Sequence, residues 1–161
     1  GKNKIFVDLG GGSTEFFLRN EEDTIIRSFQ LGAVRNMLKK DEKEEWQRLE
    51  EWLQSIKPKK KLIGIGGNIR SFLNSHGSKE MFVDEFIKKS ERLSKLDTEE
   101  KIKKYKFSPD RADVIDHALH IFKFIAEQLE IQTITFTKWG ISDSIAIKLF
   151  HELYSSKVTI S

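Results

Sequence analysis

Residues Ile5 to Glu15 read IFVDLGGGSTE, and the fold turns on how that run is parsed. Ile5, Phe6 and Val7 fit a strand buried on both faces. Asp8 falls at the strand's end, where the chain must turn. Gly10, Gly11 and Gly12 follow, and a turn without Cβ atoms lets backbone N–H groups approach a bulky anion. Ser13 and Thr14 add hydroxyl donors. Apolar residues resume at Phe16, Phe17 and Leu18, so the glycines join two strands and do not open a helix. A P-loop needs a Gly-Lys-Ser/Thr ending before a helix, and a dinucleotide loop needs its third glycine; neither is present. A plain flexible turn is the competing reading. One or two glycines suffice for a hairpin, however, and an aspartate before and a glutamate after the turn favour a phosphate site.

Outward from that run, strands are expected at Lys4 to Asp8, Thr14 to Arg19 and Thr24 to Gln30, the last two joined by the turn Asn20 to Asp23. A helix from Ala33 to about Lys40 follows Leu31-Gly32. Asp41, with Glu44 three residues on, reads as a capping box for a helix ending near Ile56. Its Trp46, Leu49, Trp52, Leu53 and Ile56 recur at helical spacing and read as core rather than as a ligand platform.

Lys61 to Ile65 is the next strand, and Gly64-Ile65-Gly66-Gly67 forms a second glycine-rich loop before a helix from Asn68 to Ser75. Loop followed by helix suits an anion, because free N–H groups and the helix dipole point the same way. Met81 to Val83 is a short strand, and Asp84 caps a helix to about Ser94. Asp97 or Thr98 starts a helix to about Tyr105. Ser108-Pro109 opens a long helix to Glu130, whose apolar face is Ile115, Ala118, Leu119, Phe122, Ile125, Ala126 and Leu129. A strand at Thr133 to Thr137 and a helix from Ile141 to Leu153 complete the chain. His117 and His120 lack further ligands for a metal and read as structural. A meander followed by strand–helix units makes an α/β fold: a mixed sheet of about five strands with helices on its faces.

At 161 residues with no linker or repeat, residues 1–161 suit a single domain. No run approaches the roughly 18 apolar residues of a membrane span, and no signal-peptide pattern opens the chain. Cysteine is absent, which removes disulfides and thiolate metal sites and fits a cytoplasmic setting. The net charge of +3 is small, and the basic run Lys57-Pro58-Lys59-Lys60-Lys61 suits a solvated loop. Basic and aromatic residues are not interleaved, so no DNA or RNA partner is expected. A start almost inside a strand, without methionine, suggests an excised domain.

These segments resemble the exopolyphosphatase / guanosine pentaphosphate phosphohydrolase family. Val7 to Glu15 is close to its DIGGGSTE motif, and Ser28 to Arg35 (SFQLGAVR) to its S-L-x-L-G-A-V-R stretch. Ile63 to Asn68 is similar to its GTGGT-type loop, Pro109 to Ile115 (PDRADVI) to its P-x-R-A-D-V-I helix start, and Trp139 to Ile145 occupies the place of its closing G-L-R-E-G segment. Asn68 replaces a threonine, and Ser142 and Asp143 stand at the family's arginine and glutamate positions.

The resemblance implies a ribonuclease-H-like fold of the actin-like ATPase, sugar kinase and Hsp70 superfamily, and covers only the second half of a two-domain phosphatase module. The first phosphate loop and the family's catalytic glutamate belong to the other half, a partner domain. The implied activity is release of terminal phosphate from polyphosphate or pppGpp, with this half inactive alone. Asp8 and Glu15 would act on the attacking water and hold Mg²⁺ or another divalent cation. Gly10, Gly11, Gly12, Ser13 and Thr14 would bind the terminal phosphate. Gly64, Gly66, Gly67 and Asn68 would hold a second phosphate or a nucleotide-like portion, with Arg70 in reach. Arg35 and Arg111 are expected in structural ion pairs. The alternative is a non-catalytic module that recognises phosphate or (p)ppGpp, and an exposed cleft face could drive homodimers.

Overall fold

The computed structural model describes residues 3–20, 23–137 and 157–160. The first strands are β1 (Lys4–Leu9), β2 (Thr14–Asn20) and β3 (Asp23–Phe29), a meander paired antiparallel. Next come α1 (Ala33–Met37), α2 (Lys43–Ser55), β4 (Lys61–Ile65), α3 (Gly67–Ser75), β5 (Glu80–Phe82), α4 (Val83–Ser94), α5 (Thr98–Tyr105), α6 (Pro109–Gln128), β6 (Thr133–Phe136) and β7 (Lys157–Ile160). The described strands form one mixed sheet of seven, in the order β5-β6-β4-β1-β2-β3-β7. β1 pairs parallel with β4, and β4 with β6. That exceeds the expected five or so strands: β7 had no counterpart in the sequence reading. The expected helix from Ile141 to Leu153 lies outside the described residues.

Strand pleat decides which residues reach the core. Ile5, Val7 and Leu9 of β1 and Phe16 and Leu18 of β2 are buried and join one cluster with residues of α1, α2, α3, α4 and α6, against which Ile102 and Tyr105 of α5 pack. α6 is the centre of that cluster. Ala112, Ile115, Ala118, Leu119, Ile121, Phe122, Ile125 and Ala126 are buried on it, as its spacing predicts. Phe16, Phe29 and Trp52 meet edge-on or tilted at centroid distances of 5.0–5.7 Å, so the α2 tryptophans are core residues. Phe6, on the opposite pleat, is only partly buried, which corrects the expectation of a β1 buried on both faces.

Three local readings also change. α1 stops at Met37, short of Lys40. Glu42, not Asp41, precedes α2, and no side chain caps it. Asp41 is drawn away because its Oδ2 accepts from Trp46 Nε1 (2.8 Å) and Asn36 Nδ2 (2.9 Å). Asp84 lies in the first turn of α4, after Phe82 as N-cap. The capping box at Asp97 and Glu100 and the Ser108 cap before Pro109 form as expected.

Candidate active site

β1 and β2 bring Asp8 and Glu15 opposite each other, as direct partners in the antiparallel ladder. Burial first, and then the Glu15 charge, push the Asp8 carboxyl up to about 7. Glu15 Oε1 accepts from Ser13 Oγ at 3.0 Å. A carboxylate pair that resists double ionisation, beside an open glycine turn, is suited to a cation or to proton transfer near neutrality.

The glycine turn between them is held from below. Gly10 N donates to Ser13 O (3.0 Å), closing the turn. Its carbonyls are all engaged: Gly10 O accepts from Ala33 N, Gly11 O from Val34 N and Arg35 N, and Gly12 O from Arg35 Nε at 2.6 Å. The N–H groups of Gly11, Gly12 and Ser13 have no acceptor among the described residues. Three amides freed by a turn whose oxygens point the other way form a nest for an anion. Gly32 makes the clamp possible. A Cβ there would lie 2.3 Å from Gly11 O, so only glycine lets α1 approach the turn this closely.

The second glycine segment sits beside the first. Val7 pairs with Gly64 and Asp8 with Ile65, and a Cβ on Gly66 would lie 3.5 Å from Leu9 O. Gly66 has φ +114° and precedes α3, a conformation that favours glycine. Asn68 is buried and its Oδ1 has no partner. An amide orphaned at a helix start needs a ligand; turned by half a revolution it offers Nδ2 to an anion.

Two of the expected phosphate ligands stand elsewhere. Thr14 is fully buried and its hydroxyl donates to Leu31 O at 2.7 Å, away from the turn. Gly64 lies inside β4, where Ile69 packs within 2.7 Å of the position a Cβ would take. Both support the site from behind. Among the described residues Arg35 and Arg111 make no ion pair: Arg35 grips Gly12 O and Gln30 Oε1, and Arg111 lies against Gly67. His117 bonds Asn36 through Nδ1 (2.6 Å), and His120 packs on Trp46, so both are structural as expected. The sequence reading missed the role of Gly32. Its signals were the Leu31-Gly32 step before a helix and the place of Gly32 in the SFQLGAVR stretch.

The Ppx/GppA phosphatase family matches residues 1–153. The chain belongs to that family. The Aquifex aeolicus Ppx/GppA phosphatase is similar in structure, with TM-score 0.69 and 22% identity over 90% of this chain and 56% of that one. An exopolyphosphatase from Cytophaga hutchinsonii gives TM-score 0.72 and 16% identity over 96% of this chain and 59% of that one. The chain thus spans a little over half the length of these relatives, and it shares their α/β, actin-like ATPase type of fold. No curated relative matches it in sequence. Among the described residues, no helix is long and apolar enough to cross a membrane.

Within a Ppx/GppA fold the clamp by Arg35 is a testable support. Arg35→Ala removes the bonds to Gly12 O and Gln30 Oε1. It is expected to weaken tripolyphosphate binding about tenfold while changing stability by less than about 1 kcal/mol, measured by calorimetry and urea unfolding.

Proposed function

We propose that this chain is one wall of the active site of a phosphoanhydride hydrolase that releases terminal phosphate from polyphosphate or pppGpp. The observation that carries the reading is the set of free amides at Gly11, Gly12 and Ser13, placed beside the Asp8–Glu15 pair. The amides would take the oxygens of the terminal phosphoryl group and stabilise the charge that builds there in transfer. Gly66, Gly67 and Asn68 would hold the next phosphate.

Asp8 and Glu15 fit a divalent cation such as Mg²⁺. Two facing carboxylates with little other counter-charge are the donor set that such an ion takes, with waters and substrate oxygens completing it. The ion supplies charge neutralisation on the phosphate oxygens. With such an ion bound, the ionised Asp8 carboxylate would orient the attacking water or accept its proton. Glu15 is held in place by Ser13.

The other wall, with the family's first phosphate loop and catalytic glutamate, lies in a partner domain, so this chain alone is expected to hydrolyse little. The test is Mg²⁺-dependent phosphate release from polyphosphate and pppGpp, by this chain and by a chain carrying both halves. Release only by the longer chain, lost on Asp8→Asn, is the expected result. Turnover by the 161-residue chain alone that is abolished by Glu15→Gln would refute the half-site. Nucleotide binding without release by either chain would favour a regulatory module.

A further inference from the structure

α1 has five residues, and its N-terminal end supports the glycine turn: the N–H groups of Ala33, Val34 and Arg35 donate to Gly10 O and Gly11 O. A helix this short has little stability of its own. Apolar burial adds little to it. Ala33 is its sole buried residue, Val34 is 39% exposed, and Leu38, directly after it, is 52% exposed. The far end of α1 is instead tied to the fold by hydrogen bonds, and they meet at one side chain.

That side chain is Asn36. Its Nδ2 donates to Asp41 Oδ2 at 2.9 Å, and its Oδ1 lies 2.6 Å from Nδ1 of His117 on α6. The members of this chain fix one another. An ionised Asp41 only accepts, so the amide turns its NH₂ to Asp41 and its oxygen to His117. That oxygen also only accepts, so His117 carries a proton on Nδ1 and donates it. Asp41 Oδ2 accepts a second bond, from Trp46 Nε1 of α2 at 2.8 Å. Between Asn36 and Asp41 the chain doubles back through Lys39, at φ +55°, whose N–H donates to Asn36 O.

His117 is a firm anchor. It stands in the middle of α6, beside the buried Ala118 and Leu119, on the helix at the centre of the core. From there the route to the turn is a short run of bonds. His117 holds Asn36, and Asn36 adjoins Arg35, whose Nε donates to Gly12 O at 2.6 Å. The main chain of α1 holds the other two glycine carbonyls. Without the bond from His117, α1 can pivot about Ala33. The carbonyls that it grips then move, and the free amides of Gly11, Gly12 and Ser13 move with them.

We propose that His117 is a positioning residue of the phosphate site: through Asn36 it fixes α1, and α1 holds the glycine turn with its amides aimed outward. The proposal rests on the phosphohydrolase reading of the previous subsection and adds to it a support on the core helix. His117 acts through Asn36 and not on phosphate directly. Its contribution is preorganisation, since amides already aimed need no reordering when the anion arrives.

The test takes three readings: tripolyphosphate affinity by calorimetry with Mg²⁺, the urea midpoint, and the ¹H–¹⁵N signals of Gly11, Gly12 and Ser13 without ligand. The unaltered chain is set beside His117→Phe, His117→Asn, Asn36→Ala and the double variant His117→Phe, Asn36→Ala. Phenylalanine keeps a flat ring but cannot donate, whereas asparagine returns an N–H donor close to the place of Nδ1. The expected result is that His117→Phe and Asn36→Ala each lose about fivefold in affinity and shift the three amide signals. The double variant should lose no more than either alone, because both break one connection. His117→Asn should recover the affinity and the signals. A lower midpoint in His117→Phe, with affinity and amide signals unchanged, overturns the proposal and leaves the hydrolase reading intact. So does a His117→Asn variant that behaves like His117→Phe, or losses that add in the double variant. Should His117→Phe fail to fold, Asn36→Ala decides by the same readings. If the unaltered chain binds no tripolyphosphate, both readings fall.

Discussion

Asp8→Asn is expected to make the chain more stable at pH 8, by about 3 kcal/mol, and to leave it unchanged near pH 4. The cause is the carboxyl that burial and Glu15 push up to about 7. The unfolded chain releases this proton near its ordinary value of 3.8. Between those two values the folded state holds a proton that the unfolded state has lost. Stability therefore falls as pH rises through that window and levels off above it. Asparagine carries no such penalty. The figure is close to the full shift less some screening, since Asp8 keeps contact with solvent. Urea unfolding at pH 4, 6 and 8 reads it directly. A variant no more stable than the parent chain at pH 8 would show that the carboxyl is not strained. Mg²⁺ should give the same relief to the unaltered chain at pH 8, raising Tm, and give none to the variant. A site that stores strain until its ligand arrives is the usual cost of function in a folded protein.

Gly32→Ala is the second large effect. The new Cβ would sit 2.3 Å from Gly11 O and 2.7 Å from Gly12 N, both backbone atoms that cannot swing aside. Either α1 withdraws, breaking the bonds from Ala33, Val34 and Arg35 to the turn, or the turn itself shifts. The expected cost is about 3 kcal/mol, with loss of phosphate binding. The φ of −162° at this residue is ordinary extended backbone, so the damage is steric and not conformational. Gly12→Ala is the control, because a Cβ there meets nothing within 4 Å. Its stability should hold within about 1 kcal/mol. Equal losses in both variants would mean that the clamp plays no special part.

The strand–glycine turn–strand of IFVDLGGGSTE was legible because residue order alone carries it: apolar run, three glycines, apolar run. α6 was legible for the same reason, its apolar stripe matching the observed buried face. Thr14 shows where local chemistry misleads. As a hydroxyl after glycines it resembled a ligand, but it shares strand parity with Phe16 and Leu18 and so turns inward to Leu31. Period-two reading would have separated it from Glu15. Asp41 could not be placed from spacing, since Trp46 and Asn36 compete for its carboxylate in the folded chain. The close approach of Gly32 to Gly11, and of Arg111 to Gly67, depends on packing between segments distant in sequence.

The central claim is that the glycine turn grips phosphate through its free amides. The most direct measurement is a ¹H–¹⁵N NMR titration of the chain with tripolyphosphate at pH 8 in the presence of Mg²⁺. The account predicts that the amide signals of Gly11, Gly12 and Ser13 shift most, with Gly67 and Asn68 following, and that these shifts are lost in Asp8→Asn. Shifts centred on the basic run Lys57 to Lys61, with Gly11 to Ser13 unmoved, would contradict it.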